Sequence, residues 1–399
     1  MLPQIILRSG KDKAARHRHP WVFSGAIDRI GGEVKPAPGD IVRVTSAGGE
    51  FLAYGYYNHR SQIAVRLLEW DESMPVDTIW WRGKLKTAIA ARRSLFSDPQ
   101  TNAFRLVHAE ADGLPGLVVD RYADYVVIQS QTAGIDAVKP LLIEELNDQL
   151  HSTGILERSE GSARELEGLA DTRGVLSGTQ PPALLEIVEN GHRFLVDLSE
   201  GQKTGFYLDQ RANRALVAAY ARDRDVLDCF AYTGGFTVHA LAAGARTVTD
   251  VDSSASALSL LKRNAELNAV DASDRVTTIE GNAFEVLRKF RDQGRSFDMV
   301  ILDPPKLAAN RSQLDKALRA YKDLNLLAMK LLRPDGILAT FSCSGAVSVA
   351  AFQEAVAWAA TDAARAVQVL HRLSQGPDHP ILVSFPESEY LKGLLCRVV

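Results

Sequence analysis

Apolar and polar positions change their period three times along the chain. Over the first seventy residues, short β-rich runs at 21–23, 40–44, 51–57 and 63–68 are separated by Gly and Pro, which predicts several strands in a small barrel. From 76 to 95 the spacing turns helical, with Ile79, Leu85 and Ile89 set among Arg82, Lys84, Lys86, Arg92 and Arg93. A strand pair follows at 105–110 and 117–120, joined by the turn Ala111-Asp112-Gly113-Leu114-Pro115-Gly116, then a strand at 125–129 and a helix over 136–150. These elements predict a compact α+β middle domain. Residues 157–182 are polar and rich in Glu, Arg, Gly and Pro, so they read as a connection or a loop-rich flank. Beyond them strand and helix alternate. Strands are expected at 226–230, 247–251, 276–280, 299–302 and 337–342, and helices at 236–243 and from a Ser253 or Ser254 cap to about 268. A long amphipathic helix (Leu314, Leu318, Tyr321, Leu324, Leu331) lies between the last two strands. The expected architecture is α/β, a doubly wound parallel sheet in 185–399 behind a barrel in 1–72 and a middle domain in 73–184.

Composition supports a folded protein: of 399 residues, 46% are apolar and 24% charged, which excludes a mainly disordered chain. No apolar run approaches the roughly 18 residues of a membrane span, and the N-terminal apolar stretch is too short for a signal peptide. A soluble, cytoplasmic protein with no membrane partner is expected. Cys229, Cys343 and Cys396 are an odd set without metal-ligand spacing, so reduced thiols are expected rather than disulfides or zinc. The net charge of -3 argues for no nucleic-acid partner by itself. Locally, however, residues 1–19 hold Arg8, Lys11, Lys13, Arg16 and Arg18 against Asp12 alone, with His17 and His19 interleaved. Lys11, Lys13, Arg16 and Arg18 are therefore candidate RNA contacts on a basic arm, the alternative being a solvated charged face.

The chemistry gathers at the strand ends. Val226-Leu227-Asp228-Cys229-Phe230-Ala231-Tyr232-Thr233-Gly234-Gly235-Phe236 brings glycines to a strand-to-helix turn, where backbone can approach a ligand. The dinucleotide fingerprint is absent, so an adenosine ligand without phosphates fits better than a pyrophosphate. Asp228, Phe230, Thr233, Gly234 and Gly235 are the candidate cofactor residues of this turn. Asp252, at the end of the next strand, can accept from both ribose hydroxyls, or it is a strand-end turn residue. The fourth strand ends Asp303-Pro304-Pro305-Lys306, a carboxylate held in the crevice by a rigid diproline. The fifth ends Phe341-Ser342-Cys343-Ser344-Gly345, which puts a thiol at the same sheet edge and makes Cys343 the candidate nucleophile. Cys229 is expected in the wall of the cleft, and Cys396 in a terminal strand.

Nearly the whole chain resembles the RlmI-type ribosomal RNA large-subunit methyltransferases. These are class I, S-adenosylmethionine-dependent enzymes that make 5-methylcytosine. The resemblance rests on His19-Pro20-Trp21-Val22-Phe23-Ser24-Gly25, similar to a PUA domain, on 105–116, and most specifically on the lead-in Glu200-Gly201-Gln202-Lys203-Thr204-Gly205-Phe206-Tyr207-Leu208-Asp209-Gln210-Arg211. It implies a class I methyltransferase domain behind a PUA-like RNA-binding barrel, S-adenosyl-L-methionine as cofactor and large-subunit ribosomal RNA as partner. It further implies Cys343 and Asp303 as catalytic residues, with Asp303 and Arg211 also at the cofactor. It puts Asn282, after the third strand, where many class I methyltransferases have an acid that accepts from the adenine amino group; its amide oxygen can accept that bond, the alternative being a turn-favouring Asn. Many cytosine-5 RNA enzymes carry a second cysteine directly after the motif proline. Here that neighbourhood reads Pro304-Pro305-Lys306, so the base that removes the carbon 5 proton stays unassigned. A guanine methyltransferase and a non-catalytic RNA-binding assembly factor are the alternatives, and a homodimer is left open.

Overall fold

The computed structural model describes residues 2–32, 34–201, 204–268, 272–308 and 310–399. The lead-in residues Gln202 and Lys203 lie outside the described residues. The chain divides into two compact units: Met1–Ile187 with Val196–Leu208 and Pro377–Ser388, and Val188–Leu195 with Asp209–Gly376 and Glu389–Val399.

The first unit contains a six-stranded and a five-stranded sheet. The six-stranded sheet runs Trp21–Val22, Val65–Glu69, Phe51–Tyr57, Ile41–Thr45, Gln4–Leu7, Ile27–Gly31 in spatial order. The basic arm therefore begins as a strand inside this sheet, hydrogen-bonded on both edges, and continues as a short helix, Lys13–Arg16. Tyr56 of the first sheet is buried in the same core as Leu106, Val119 and Ile128 of the second, and its hydroxyl donates to Pro115 O at 2.7 Å. The polar stretch at 157–182 is not a connection. It forms the strand Thr172–Gly178, the helix Ser162–Glu167 and the end of the strand Gly154–Ser159. Its charges are consumed internally: Arg164 is buried against Asp136 and the Ser130 carbonyl, and Glu157 accepts from Lys139, Ser159 and Thr172. A polarity pattern counts such residues as solvated, whereas here they satisfy one another.

In the second unit, described strands β1 (Asp225–Cys229), β2 (Thr247–Asp252), β3 (Val276–Glu280), β4 (Phe297–Leu302), β5 (Leu332–Ser342), β6 (Val367–Ser374) and β7 (Lys392–Val398) form one sheet ordered β3-β2-β1-β4-β5-β7-β6. β7 is antiparallel to both its neighbours, and the other pairings are parallel. The helices of eight residues or more are α1 (Arg211–Ala218), α2 (Gly235–Ala242), α3 (Ala255–Leu267), α4 (Ala283–Asp292), α5 (Leu314–Leu331) and α6 (Val349–Ala363), and a single turn, Ala272–Arg275, precedes β3. Ser254, not Ser253, caps α3 by accepting from Ala257 N.

Period-two alternation sorts the strand residues onto two faces. Leu227, Cys229, Val300, Leu302, Leu338, Leu394 and Cys396 pack on one side with Tyr321 of α5 and Phe352 of α6. Val226, Val248, Met299, Ile301, Ala339 and Phe341 pack on the other with Phe236 and Ala240 of α2. Strand order reverses between β1 and β4, so the loops after their carboxyl ends diverge and open a crevice, the usual ligand position in such sheets. Among the described residues no helix is long and apolar enough to cross a membrane.

Candidate active site

The loop after β1 is held in an unusual backbone. Phe230 and Tyr232 have positive φ (65° and 48°), as does Gly234 (83°), so two of the three left-handed positions are taken by aromatic residues. Such positions cost on the order of 1–3 kcal/mol each and persist only where the surroundings enforce them. Those surroundings are visible: Phe230 N and Ala231 N both donate to Val251 O, and Tyr232 N donates to Asp252 Oδ2 at 2.9 Å. Asp252 Oδ1 accepts from Ser254 N. Asp252 thus braces the turn, and each of its oxygens keeps a further lone pair for a ligand hydroxyl. The two glycines are required by packing: a Cβ at Gly234 would lie 2.6 Å from Leu261, and one at Gly235 2.6 Å from Arg214.

Asp228 lies directly across the ladder from Asp250, and both are buried. Between them, Thr237 Oγ1 stands 3.0 Å from Asp228 Oδ2 and 2.5 Å from Asp250 Oδ1. One hydroxyl has one proton, so it cannot donate to two carboxylates. The second short contact requires a carboxyl proton donated to the Thr oxygen. Burial pushes Asp250 up to about 7, and burial together with Asp250 pushes Asp228 well up too. Asp228 Oδ1 and Thr233 Oγ1 are buried with no hydrogen-bond partner among the described residues. Orphaned acceptors beside a strained, glycine-bearing turn fit a ligand rich in donors, as an adenosyl amino acid is.

At the next two strand ends, Cys343 and Asp303 are drawn together. Both are half-buried, and Cys343 Sγ lies 4.0 Å from Pro304 O. The link between their loops is Ser344, whose Oγ accepts from Leu307 N and Ala308 N, both at 3.1 Å. With those lone pairs occupied, its own proton goes to Tyr321 Oη, 3.1 Å away. Lys392, across the ladder from Ser342, donates its Nζ to Ser344 O and Val347 O. Ser344, Tyr321, Lys392, Thr237 and Asp250 were not singled out in the sequence as chemistry. A signal for one of them exists: Lys392 is a charge set directly before the apolar run Gly393-Leu394-Leu395-Cys396.

The other candidates fall in different places. Asn282 is exposed and caps α4, its Oδ1 accepting from Phe284 N. Arg211 is buried at the start of α1, and its carbonyl accepts from Asn190. Cys229 and Cys396 are fully buried, with thiols pushed up by burial, that of Cys396 to about 12. Lys11, Lys13, Arg16 and Arg18 are all exposed. Arg16 is nevertheless committed, holding Asp12 at 2.8 Å and Glu50 through two further hydrogen bonds. Arg18 lies 5.9 Å from the centre of the Trp70 ring.

A family model of S-adenosylmethionine-dependent methyltransferases matches residues 170–397, and a PUA-like domain model matches residues 5–70. Proteins named ribosomal RNA large subunit methyltransferase I from Aliivibrio fischeri, Shewanella denitrificans and Cronobacter sakazakii are 46%, 44% and 43% identical, each covering the whole of both chains. In fold, the chain is similar to a Streptococcus mutans protein assigned to the SAM-dependent methyltransferases, with a TM-score of 0.85 at 20% identity over both full chains. It is also similar to a methyltransferase structure complexed with SAH, with a TM-score of 0.87 at 20% identity and the same coverage.

Proposed function

The chain belongs to the ribosomal RNA large subunit methyltransferase I family of S-adenosylmethionine-dependent enzymes, and from that premise we propose that it methylates carbon 5 of a cytosine in large-subunit ribosomal RNA through a Cys343 adduct. The observation that carries this reading is the Ser344 tie, which fixes the Cys343 turn and the Asp303 loop to each other beside the strained cofactor turn. When bound, the cofactor supplies an electrophilic methyl group on a sulfonium. Asp252 is assigned to the ribose, and Asp228, Phe230, Thr233, Gly234 and Gly235 to the remainder, with Asn282 at the adenine and Asp303 and Arg211 also at the cofactor.

Carbon 5 of cytosine is a weak nucleophile. The Cys343 thiolate forms a bond to carbon 6, and the displaced ring electron pair makes carbon 5 nucleophilic enough to take the methyl group. Asp303, beside the base, accepts from its amino group and shares a proton with ring nitrogen 3, which stabilises the charge that moves onto the ring. Loss of the carbon 5 proton then restores the double bond and expels the Cys343 sulfur. Pro304 and Pro305 keep the Asp303 carboxylate from swinging away, because their φ angles are fixed. Lys11, Lys13 and Arg18 contribute phosphate contacts from the N-terminal sheet, and ribosomal RNA as substrate puts the activity in the cytoplasm.

The test is RNA carrying 5-fluorocytosine, whose fluorine cannot leave as a cation, so the adduct persists. The expected result is a covalent RNA–protein band with cofactor that disappears in Cys343→Ala, while that variant retains cofactor affinity. A Cys343→Ala enzyme that still methylates RNA overturns the cytosine reading and favours guanine.

A further inference from the structure

We propose that Lys392 is a positioning residue for the nucleophile: its ammonium anchors the turn that carries Cys343 and supplies the positive charge that holds the sulfur as thiolate. The inference rests on the assignment of Cys343 above. Lys392 is 3% exposed, on the sheet face that packs against Tyr321 and Phe352, a place where an ammonium is kept only at a cost in hydration. Two of its three N–H groups are spent on carbonyls, Ser344 O at 2.8 Å and Val347 O at 2.6 Å. Those carbonyls bracket the turn immediately after Cys343, so the ammonium fixes the turn from beneath. Its register partner on β5 is Ser342, the residue immediately before the cysteine.

Burial lowers Lys392 to about 8, and the two charges that pull it back upward are Cys343 and Glu389. The thiolate and the ammonium are therefore within electrostatic reach, and each favours the charged form of the other. Asp303 and Tyr321 are the other ionisable groups at this corner: burial pushes the Tyr321 hydroxyl up, and the negative charges of Cys343 and Asp303 push it further the same way. A negative Asp303 disfavours a thiolate, which makes a compensating cation more necessary. A thiol that must add to carbon 6 near neutral pH has to be ionised first, and of the groups named here Lys392 alone is cationic.

The readout is the pH dependence of iodoacetamide alkylation of the full-length free protein, with Cys343→Ala as the blank for buried Cys229 and Cys396. Lys392→Met should shift the midpoint of Cys343 alkylation upward by about one pH unit or more, and Lys392→Arg should restore most of it. A residue that only braced the turn would lower thermal stability and leave the midpoint where it was. A folded Lys392→Met protein with an unshifted midpoint therefore overturns the proposal. Should the variants not fold, the unsubstituted protein decides: a Cys343 midpoint below the roughly 8.5 of an ordinary thiol supports the proposal, and one at or above it overturns the proposal. Alkylation needs no RNA, so it separates from the adduct test. Failure of the adduct with a shifted midpoint removes the nucleophile assignment, and an adduct with an unshifted midpoint removes only the role of Lys392.

Discussion

Replacing Asp250 by Asn should stabilise the protein at alkaline pH, because the buried Asp228–Thr237–Asp250 group holds a proton that the unfolded chain gives up. Asp250 is raised from 3.8 to about 7 by burial. For a raised carboxyl the sign is fixed: the folded state binds the proton more tightly than the unfolded state. Stability is thus full below about 4, falls as pH climbs through the interval to 7, and stays low above it. A shift of three units at 1.36 kcal/mol each sets an upper limit of about 4 kcal/mol. Asp228 shares the same proton, so the part that Asn can recover is smaller, roughly 2 kcal/mol. The Asn amide can donate where the carboxyl proton did, and carries no charge to be desolvated. Urea unfolding of both proteins at intervals from pH 5 to 8, compared variant against parent at each pH, cancels the other titrations. The Asn variant should gain on the parent steadily as pH rises. Parallel curves, with a constant difference at every pH, would refute the shared proton.

Asp252→Ala should weaken S-adenosylmethionine binding by about 1–3 kcal/mol, roughly 5- to 150-fold by calorimetry, since it removes the ribose acceptor and also frees Tyr232 N and Ser254 N. Unchanged affinity would confine Asp252 to bracing the turn. His239 is buried, held neutral and lowered to about 3, with Nδ1 bonded to Gly235 O. Its folded pKa is depressed, so its contribution is complete above about 6.5 and is lost as pH falls, costing about 1.2 kcal/mol between pH 7 and 5.5. His239→Gln should flatten that limb in chemical denaturation. Substituting Lys11, Lys13 and Arg18 together by Ala should reduce the salt slope of RNA affinity by about 2, at about 0.7 per phosphate contact. Arg16→Ala should leave the slope nearly unchanged, because its charge is already paired with Asp12 and Glu50. Equal effects in filter-binding titrations would refute that distinction. Point substitutions are the suitable perturbation, because removing residues 1–70 would strip Tyr56 from the core it shares with the second sheet.

The parallel sheet was legible because its central strands β1, β4 and the end of β5 are buried on both faces and read as apolar runs. Asp252, Asp303 and Cys343 stand at strand ends, and their neighbours in space follow from strand order alone. The polar hub was not legible. Ser344 looks like any turn serine, and its importance comes from two N–H groups that lie 36 and 37 residues away in sequence. Thr237 sits on an apolar helix, and its role arises from the register that sets Asp228 opposite Asp250. The basic arm was legible as charge but not as structure, since the apolar run ahead of it, Gln4–Leu7, pairs with strands far along the chain. Local pattern reports propensity, whereas pairing of polar atoms depends on contacts made only after folding.

The diproline sharpens this point. Pro304 and Pro305 have no N–H to donate, so after Asp303, whose N–H donates to Cys229 O, the loop has no backbone donor at its next two residues. The donors of Leu307 and Ala308 come soon after, and both are taken by the hydroxyl of Ser344, next to the nucleophile. A loop stiff in φ but poor in donors is thus oriented from outside, by the very turn whose thiol it must face. The carboxylate and the thiol are then held at one relative position by a single serine, itself fixed by Tyr321 and, through its carbonyl, by Lys392. Relative placement of two reacting groups is where a small displacement costs most in rate. This accounts for a buried lysine and a buried tyrosine hydroxyl beside the ends of β4 and β5.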